Sequence, residues 1–327
     1  MKAAFIERPG PPESIRYGEV AMPVIRHDRQ VLVKVTAVTV NPIDTYIRSG
    51  AYPIALPRPF IIGRDLVGVV DAVGAGVTRF APGQRVWSNN QGYDGRQGTF
   101  AEFVSVDEEL LYPLPDGVNE QEAVAVVHSS LTACLGLIRE AGLKAGETLF
   151  INGGSGNVGS AVLQVARHLG ARVIVTAGST EKLRRCLELG ADRAVNYKTE
   201  DVAVAIRDFA PQGVDVYWDT TREPDFERAV PLLQHRGRLI VMAGLNAHPP
   251  FPVGPFYTKD CSMHGFAITN ATTEELCECA GQINGLLAAG ALKVKLDRVM
   301  PLAQATAAHR LFEEHQAELS GKIVLIP

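Results

Sequence analysis

The chain has 327 residues, 46% of them hydrophobic, which is enough for two domains with sizeable cores. Its formal net charge of −4 excludes a strong basic field for nucleic acid, and its five scattered cysteines do not suggest a disulfide framework. The sequence has no continuous run of about 18 apolar residues, and its first residues reach prolines too early for the apolar region of a signal peptide. We therefore expect a cytoplasmic protein without a membrane span.

The first third of the chain is predicted to be rich in β-strands. Apolar patterning predicts strands at Val31–Val40 and Leu66–Val73. Pro82–Val86 predicts a turn that leads into a strand, and Thr99–Val104 predicts one more strand. The segment Ser88–Gly98 is polar and irregular, and we interpret it either as a mobile lid or as a variable surface loop.

From about Glu120 the pattern alternates between helices and strands. The predicted elements are a helix over Glu120–Glu140, strands at Leu149–Ile151 and Val173–Val175, a helix over Thr180–Leu189, strands at Val214–Trp218 and Arg238–Ala243, and a helix that begins near Pro224. This alternation predicts an α/β fold with a doubly wound parallel sheet and right-handed crossovers. A last apolar strand, Lys322–Ile326, is expected to rejoin the first domain.

A glycine-rich turn follows the strand predicted at Leu149–Ile151. It has the pattern GxGxxG and consists of Gly154, Ser155, Gly156, Asn157, Val158 and Gly159. The first two glycines allow a tight turn that approaches a pyrophosphate, and the third lets the next helix pack near the strand. The N–H groups at the start of that helix can bind the anion. The alternative is an ordinary strand–helix turn, but the flanking strands favour a dinucleotide site.

The residues that follow the next predicted strand, Val173–Val175, indicate whether the chain binds NAD or NADP. An NAD-binding chain usually has Asp or Glu there, about 20 residues after the first glycine. Here Gly178 and Ser179 occupy that place, no acid occurs before Glu181, and Lys182 follows. We therefore predict that Ser179 and Lys182 contact a 2′-phosphate and that the cofactor is NADPH.

Several segments together resemble one known family. They are Val40–Gly50 (VNPIDTYIRSG), Pro82–Val86 (PGQRV), the glycine-rich turn and Ser320–Ile323 (SGKI). In these segments the chain resembles the zinc-independent quinone oxidoreductases, the zeta-crystallin branch of the medium-chain dehydrogenase/reductase superfamily. The resemblance implies a GroES-like, β-rich catalytic domain (1–122 and 298–327) and a doubly wound Rossmann domain that binds NADPH (123–297). It also implies a homodimer that reduces quinones or activated alkenes.

The residues at the family's zinc-ligand positions argue against a metal. Zinc-dependent relatives have a cysteine at the position of Asn41 and a Gly-His-Glu triplet at the position of Gly63–Asp65. An amide is a poor zinc ligand, and the arginine of this segment is a cation that does not deprotonate. Cys277 and Cys279 lie two residues apart in a helical pattern, so they do not share a face. We expect no metal site.

Without a metal, hydrogen-bond donors have to stabilise the charge that develops on a substrate carbonyl oxygen. By resemblance, Asn41 and Tyr46 are the candidate donors, and Tyr52 closes the same predicted loop. The alternatives are that Asn41 is a turn residue and Tyr46 a core residue. Arg64 is a candidate for replacing zinc electrostatically, with a structural ion pair to Asp65 or another acid as the alternative.

The resemblance also implies further cofactor contacts. These are Thr132 near the nicotinamide, Tyr197 at the 2′-phosphate, Gly244 at the end of a strand, Phe266 through its backbone, and Asn41 and Lys322. His128 lies beside this region, but a single histidine on a helix is more often a packing residue, and we interpret it in that way.

The leading prediction is therefore NADPH-dependent reduction of a small-molecule quinone by hydride or electron transfer. One alternative is NADPH-dependent reduction of the C=C bond of enones, 2-alkenals or enoyl thioesters. A second alternative is a non-enzymatic, NADPH-binding structural or RNA-binding protein. The negative net charge argues against nucleic acid as the main partner.

Overall fold

The computed structural model describes residues 1–314 and 319–327. Two compact units can be separated in it. The first unit comprises Met1–His128 and Thr272–Pro327, and the second comprises Ser129–Ala271.

The strands and helices are numbered in chain order. The strands are β1 (Lys2–Ile6), β2 (Arg16–Glu19), β3 (Gln30–Thr39), β4 (Phe60–Ile61), β5 (Leu66–Val73), β6 (Arg85–Ser88), β7 (Phe103–Asp107), β8 (Leu111–Pro113), β9 (Thr148–Asn152), β10 (Arg172–Ala177), β11 (Arg193–Asn196), β12 (Val214–Asp219), β13 (Leu233–Val241), β14 (Ser262–Gly265), β15 (Leu296–Pro301) and β16 (Lys322–Ile326). The helices are α1 (Pro42–Ser49), α2 (Glu120–Cys134), α3 (Asn157–His168), α4 (Thr180–Glu188), α5 (Val202–Phe209), α6 (Phe226–Leu232), α7 (Val253–Tyr257), α8 (Thr273–Ala288) and α9 (Ala305–Glu314).

The second unit contains a parallel sheet of six strands in the order β11-β10-β9-β12-β13-β14. The chain starts in the middle with β9, builds outward to β11, and then returns to build the other half. Every residue of the central strand β9 is buried, which explains why its sequence is a continuous apolar run and not an alternating one. The predicted doubly wound sheet is confirmed, and its strand order reverses between β9 and β12.

The first unit is built on antiparallel strands. One sheet has the order β15-β16-β3-β5-β6-β8, with β7 also paired to β3; β15 and β16 run parallel, and the other neighbouring strands run antiparallel. A second sheet has the order β2-β1-β4. Strand β16 pairs with β3, with Val324 opposite Thr39, so the last strand rejoins the first unit as predicted.

The helix predicted over Glu120–Glu140 forms as α2 followed by a π-helical end at Leu135–Glu140. This helix has no continuous run of about 18 apolar residues, but it is long and apolar enough to cross a membrane by length and composition alone. However, 78% of its apolar window is buried inside the protein, as is typical of a core helix. We attribute its apolar character to packing, because a helix that is buried on most sides needs apolar residues all round.

The strand predicted at Thr99–Val104 forms later, as β7. Residues Thr99–Ala101 make other backbone contacts first: the Ala4 N–H donates to the carbonyl oxygen of Phe100 and the Phe100 N–H donates to that of Ile62, both at 2.8 Å. The polar residues Ser88, Asn89, Asn90 and Gln91 are buried, so this end of the predicted lid or surface loop lies inside the first unit.

Helix α8 belongs to the first unit, although it lies within the range 123–297 predicted for the cofactor domain. The helix packs against β8 and the short helix Glu108–Leu110. Asn284 on α8 accepts a hydrogen bond from the Trp87 indole N–H at 2.9 Å and donates one to the carbonyl oxygen of Pro113 at 2.9 Å. These contacts span many residues along the chain, so no local pattern indicates them.

Candidate functional site

The glycine-rich turn between β9 and α3 has the backbone geometry that a pyrophosphate requires. Gly153 adopts a φ of +92°, which favours glycine. A Cβ atom at Gly154 would lie 2.5 Å from Cβ of Val175, and one at Gly159 would lie 2.2 Å from the carbonyl oxygen of Gly153. Gly156 is the N-cap residue of α3 and has no side chain to occupy the first N–H groups of the helix. The turn therefore fits a phosphate group at the helix N-terminus.

Gly153 precedes the GxGxxG pattern, in which Gly154 and Gly156 are the glycines predicted to form the tight turn. In the structure Gly153 has the positive φ, and Gly154 instead allows close contact with β10. Gly159 packs against the turn itself. The signal available from the sequence was the Gly-Gly pair at 153–154.

The residues predicted to hold the 2′-phosphate lie at the carboxyl ends of β10 and β11. Ser179 is the N-cap of α4, and its hydroxyl accepts from the Lys182 N–H at 3.4 Å. The Lys182 side chain is exposed. A Cβ atom at Gly178 would lie 2.6 Å from the hydroxyl oxygen of Tyr197, whose side chain is 54% exposed. The structure thus brings these four predicted residues to one edge of the sheet.

The other predicted cofactor residues of the second unit have different surroundings. Gly244 follows β13 with a φ of +84°, and Phe266 follows β14 with its ring 6.1 Å from that of Trp218 in an edge-on arrangement. Thr132 is buried on α2. Gly244 and Phe266 lie at the carboxyl ends of parallel strands, where ligands bind in open α/β sheets.

In the first unit, Asn41 lies at the N-terminus of α1 and its side chain is held from both ends. Its amide nitrogen Nδ2 donates to Asp65 Oδ2 at 2.6 Å, and its Oδ1 accepts from Lys322 Nζ at 2.7 Å. The orientation of the amide is determined chemically, because a lysine can only donate and an ionised carboxylate can only accept. Lys322 is 3% exposed and belongs to the first unit.

Asp65 is the centre of this buried polar network. Besides Asn41, it accepts from the side-chain amide of Asn89, and the Nδ1 atom of His128 lies 3.3 Å from its Oδ1. The Asn89 amide nitrogen is also 3.1 Å from His128 Nδ1. His128, interpreted from sequence as a packing residue, therefore belongs to the network. It and Asn89 were missed because their partner is distant in sequence.

Two groups of the network have pKa values close to neutral pH. Burial and the nearby Asp65 charge raise the pKa of Asp44 to about 7, against an opposing hydrogen bond from the Asn41 N–H at 2.7 Å. Burial lowers the pKa of Lys322 to about 8, against the attraction of Asp65 and Asp44. Both shifts follow from the cost of keeping a charge away from water.

Arg64 is 2% exposed and donates to the side-chain oxygen of Asn90. Its Nε and Nη1 atoms have no hydrogen-bond partner in the described part of the chain. Burial lowers its pKa, and the charges of Asp44 and Asp65 act in the opposite direction. The direct partner is a neutral amide, which differs from the ion pair considered as the alternative in the sequence analysis.

Tyr46 and Tyr52 were predicted to lie with Asn41 on one loop. Instead, Tyr46 lies on helix α1, because Pro42 starts a helix immediately after the Asn41 cap. The Tyr52 N–H donates to the carbonyl oxygen of Tyr46 at 3.1 Å, just after that helix. Both tyrosines are half-buried. Among the described residues, no group of three or more His, Cys, Asp or Glu could hold a metal ion.

Two family models match this chain. A model for zinc-binding dehydrogenases matches residues 157–282, and one for the alcohol dehydrogenase GroES-like domain matches residues 27–116. The quinone oxidoreductase of Mus musculus is 32% identical over 100% of this chain and 98% of its own length. The quinone oxidoreductase of Pseudomonas aeruginosa is 31% identical over 97% of this chain and 97% of its own length.

Solved structures with the same fold agree over the full chain. An NAD-dependent alcohol dehydrogenase superposes with a TM-score of 0.89 at 30% identity, covering 100% of both chains. A quinone oxidoreductase of Escherichia coli complexed with NADPH has a TM-score of 0.85 at 27% identity, also covering 100% of both chains. A 2-haloacrylate reductase has a TM-score of 0.84 at 26% identity, covering 100% of this chain and 99% of its own.

Proposed function

Because the chain belongs to the quinone oxidoreductase family of the medium-chain dehydrogenases/reductases, we propose that it reduces quinones with NADPH without a metal. When bound, NADPH supplies the hydride, or the electrons, that reduce the acceptor. The Asn41 amide, fixed between Lys322 and Asp65, is the observation that carries this proposal. It gives the first unit an oriented hydrogen-bond donor of the kind that stabilises a developing oxyanion.

Asn41 has two N–H bonds, and the contact with Asp65 uses one of them. We assign the other to the carbonyl oxygen of the acceptor, where negative charge develops during reduction. Because Lys322 and Asp65 already hold the amide, little reorganisation is needed at the moment of reaction. The Tyr46 hydroxyl is assigned as a second donor and Tyr52 as a neighbour that shapes the same region.

The second unit is proposed to bind NADPH through the glycine-rich turn and the edge of the sheet. The backbone of Gly154–Gly159 would bind the pyrophosphate, because its helix N-terminus has no side-chain cap. Ser179, Lys182 and Tyr197 would bind the 2′-phosphate, with the exposed Lys182 ammonium supplying the charge. Thr132, Gly244 and the backbone of Phe266 are assigned to the nicotinamide end.

The charges of the first unit support chemistry without a metal. The cations Lys322 and Arg64 are both buried in the first unit, and Arg64 stands at one of the family's zinc-ligand positions, so the charge of either would repel a divalent cation. Arg64 also has two nitrogen atoms without a partner among the described residues, so its charge is available to stabilise a carbonyl acceptor.

Arg64→Ser tests this role. We expect kcat/KM for quinones to fall about tenfold or more, because one source of charge stabilisation is removed. The Kd for NADPH should stay unchanged, since the glycine-rich turn and the 2′-phosphate residues are intact. A folded variant with unchanged kcat/KM would assign Arg64 a structural role.

The proposed function is tested by following NADPH oxidation, with NADH in parallel, against ortho-quinones, para-quinones, enones and enoyl-CoA. Quinone turnover with a preference for NADPH is the expected result. Lys182→Ala should raise KM for NADPH and leave KM for NADH unchanged, because only NADPH has the 2′-phosphate. Binding of NADPH with no turnover of any acceptor would contradict the proposal.

Reduction of a conjugated C=C bond is the second candidate activity. It is favoured by the structural similarity to a 2-haloacrylate reductase, a protein named for reduction of an acrylate. The same cofactor site and the same donors would serve, because the hydride would go to the β carbon while charge develops on the conjugated carbonyl. A proton from solvent would then go to the α carbon and complete the reduction of the C=C bond. Turnover confined to enones or enoyl-CoA in the acceptor panel would establish this activity instead.

A homodimer is part of the proposal. Strand β14 is an edge of the parallel sheet, and an exposed edge can pair with the same strand of a second copy. Met263 on this strand is 46% exposed. The proposed location is the cytoplasm, which is supported by the odd number and scattered spacing of the five cysteines in the sequence.

A further inference from the structure

Two threonine hydroxyls hold the start of the glycine-rich turn from neighbouring strands. Thr176 lies on β10 and is buried. Its Oγ1 accepts from the Gly153 N–H at 2.8 Å and donates to Asn152 Oδ1 at 3.1 Å. One hydroxyl therefore fixes both the backbone nitrogen of the turn and the side chain that precedes it.

The second hydroxyl acts from the other side of β9. Thr220 directly follows β12, and its Oγ1 donates to the carbonyl oxygen of Asn152 at 2.6 Å. A Cβ atom at Gly153 would lie 2.4 Å from this hydroxyl oxygen, so the threonine is in close contact with the glycine. The Asn152 amide nitrogen is also 3.4 Å from both carboxylate oxygens of the buried Asp219. Strands β10 and β12 thus contact opposite sides of the turn.

The hydrogen bonds of Thr176 and Thr220 bear on the entropic cost of ordering the glycine-rich turn. Glycines have more backbone freedom than other residues, and a run of them loses much conformational entropy when a ligand orders it. Hydrogen bonds that order the turn before binding remove part of that cost from the binding step. Neither threonine belongs to the GxGxxG pattern.

We propose that Thr176 and Thr220 are positioning residues that preorganise the glycine-rich turn for the pyrophosphate of the dinucleotide. The inference rests on the proposed function only in that the protein binds NADPH. It does not depend on which acceptor is reduced.

The test replaces each hydroxyl by a methyl group of similar size. Thr176→Val and Thr220→Val should each weaken NADPH binding about tenfold, the effect expected when roughly 1.4 kcal/mol is lost. Thr176→Ser and Thr220→Ser keep the hydroxyl and should retain affinity within about threefold. Kd is measured by titration of NADPH fluorescence. Thr148→Val, at the opposite end of β9, is the matched control and should not change Kd.

A second ligand separates positioning from general damage. 2′-AMP carries the adenosine and the 2′-phosphate but no pyrophosphate, so its affinity, measured by NMR titration, should be the same in the valine variants and the wild type. Unchanged NADPH binding in both valine variants would overturn the inference, as would equal losses for NADPH and 2′-AMP. A wild type that binds no NADPH would instead overturn the proposed function, and the two failures are distinguishable. If Thr176→Val does not fold, Thr220→Val, at a half-buried site, decides the question.

Discussion

The side-chain amide of Asn41 contacts a cation through its oxygen and an anion through its nitrogen, and together these two contacts fix the orientation of the amide. Lys322 occupies Oδ1 and Asp65 takes one of the two protons of Nδ2. The amide cannot rotate without placing its nitrogen against the lysine. A residue that looks like an ordinary turn opener in the sequence is therefore a rigid hydrogen-bond donor in the structure.

Asn41→Ala should lower kcat for quinones about 100-fold, which is the usual loss when one oxyanion donor is removed. The free energy of unfolding should also fall, because Lys322 loses the acceptor of a buried hydrogen bond. Steady-state kinetics at saturating NADPH measure the first effect, and urea unfolding measures the second. A folded Asn41→Ala protein with the kcat of the wild type would remove this residue from the mechanism.

His309 makes a prediction about acid stability. It is fully buried, and its ring nitrogens have no hydrogen-bond partner among residues 1–314 and 319–327. Burial, with a smaller effect from Arg48, lowers its pKa from 6.5 to about 3. The unfolded chain therefore binds more protons between these two values, and the folded state loses stability as the pH falls below 6.5.

At pH 5 the lost stability amounts to about 2 kcal/mol. His309→Leu should remove this part of the pH dependence, because leucine does not titrate. Urea unfolding of both proteins at pH 7 and pH 5 tests the expectation, with a variant of the exposed His248, His248→Leu, as the control. Parallel losses of stability in wild type and His309→Leu would show that the imidazole does not contribute.

At the scale of elements, two glycines of the GxGxxG motif between β9 and α3 have different surroundings. A Cβ atom at Gly159 would lie 2.2 Å from a backbone oxygen, whereas one at Gly156 would have its nearest contact at 3.4 Å. The φ of Gly156 is −72°, which any residue adopts. The same substitution therefore has different consequences three residues apart.

Gly159→Ala should lower the midpoint of thermal unfolding by several degrees, because the clash forces the backbone of the turn to move and costs about 2 kcal/mol or more. Gly156→Ala should leave the midpoint nearly unchanged. Thermal unfolding without nucleotide is the measurement. Equal effects of the two variants would contradict the packing described for Gly159.

Some elements form with the predicted bounds and others do not. The difference is whether the bounds follow from the local apolar pattern or from hydrogen bonds to distant parts of the chain. Leu66–Val73 and Lys322–Ile326 form with the predicted bounds, because their apolar runs end where the strands end. The predicted strand Thr99–Val104 is displaced because its first residues bond to β1 and the segment after β4. Periodicity reports that a segment is buried, but it does not report which neighbour the segment pairs with.

For the whole molecule, the free edge of β14 predicts the oligomeric state. The proposed dimer should be disrupted by Met263→Lys, since a charged residue on an edge strand opposes pairing with a second copy. Val299→Lys is a matched control on another edge strand, β15, where valine is 43% exposed. Sedimentation equilibrium should find wild type and Val299→Lys dimeric and Met263→Lys monomeric. A monomeric wild type would refute the dimer.

The sequence by itself determined the alternation of strands and helices, the doubly wound class of the second unit and the position of the glycine-rich turn. These features follow from local patterns of a few residues, so they can be recognised without knowing which parts of the chain lie next to each other in the folded structure. Only the tertiary structure decided that Lys322 contacts Asn41 across 281 residues and that Asp65 gathers Asn89 and His128. Such contacts depend on the register in which distant strands pair, and the amino-acid sequence near each residue carries no signal of that pairing.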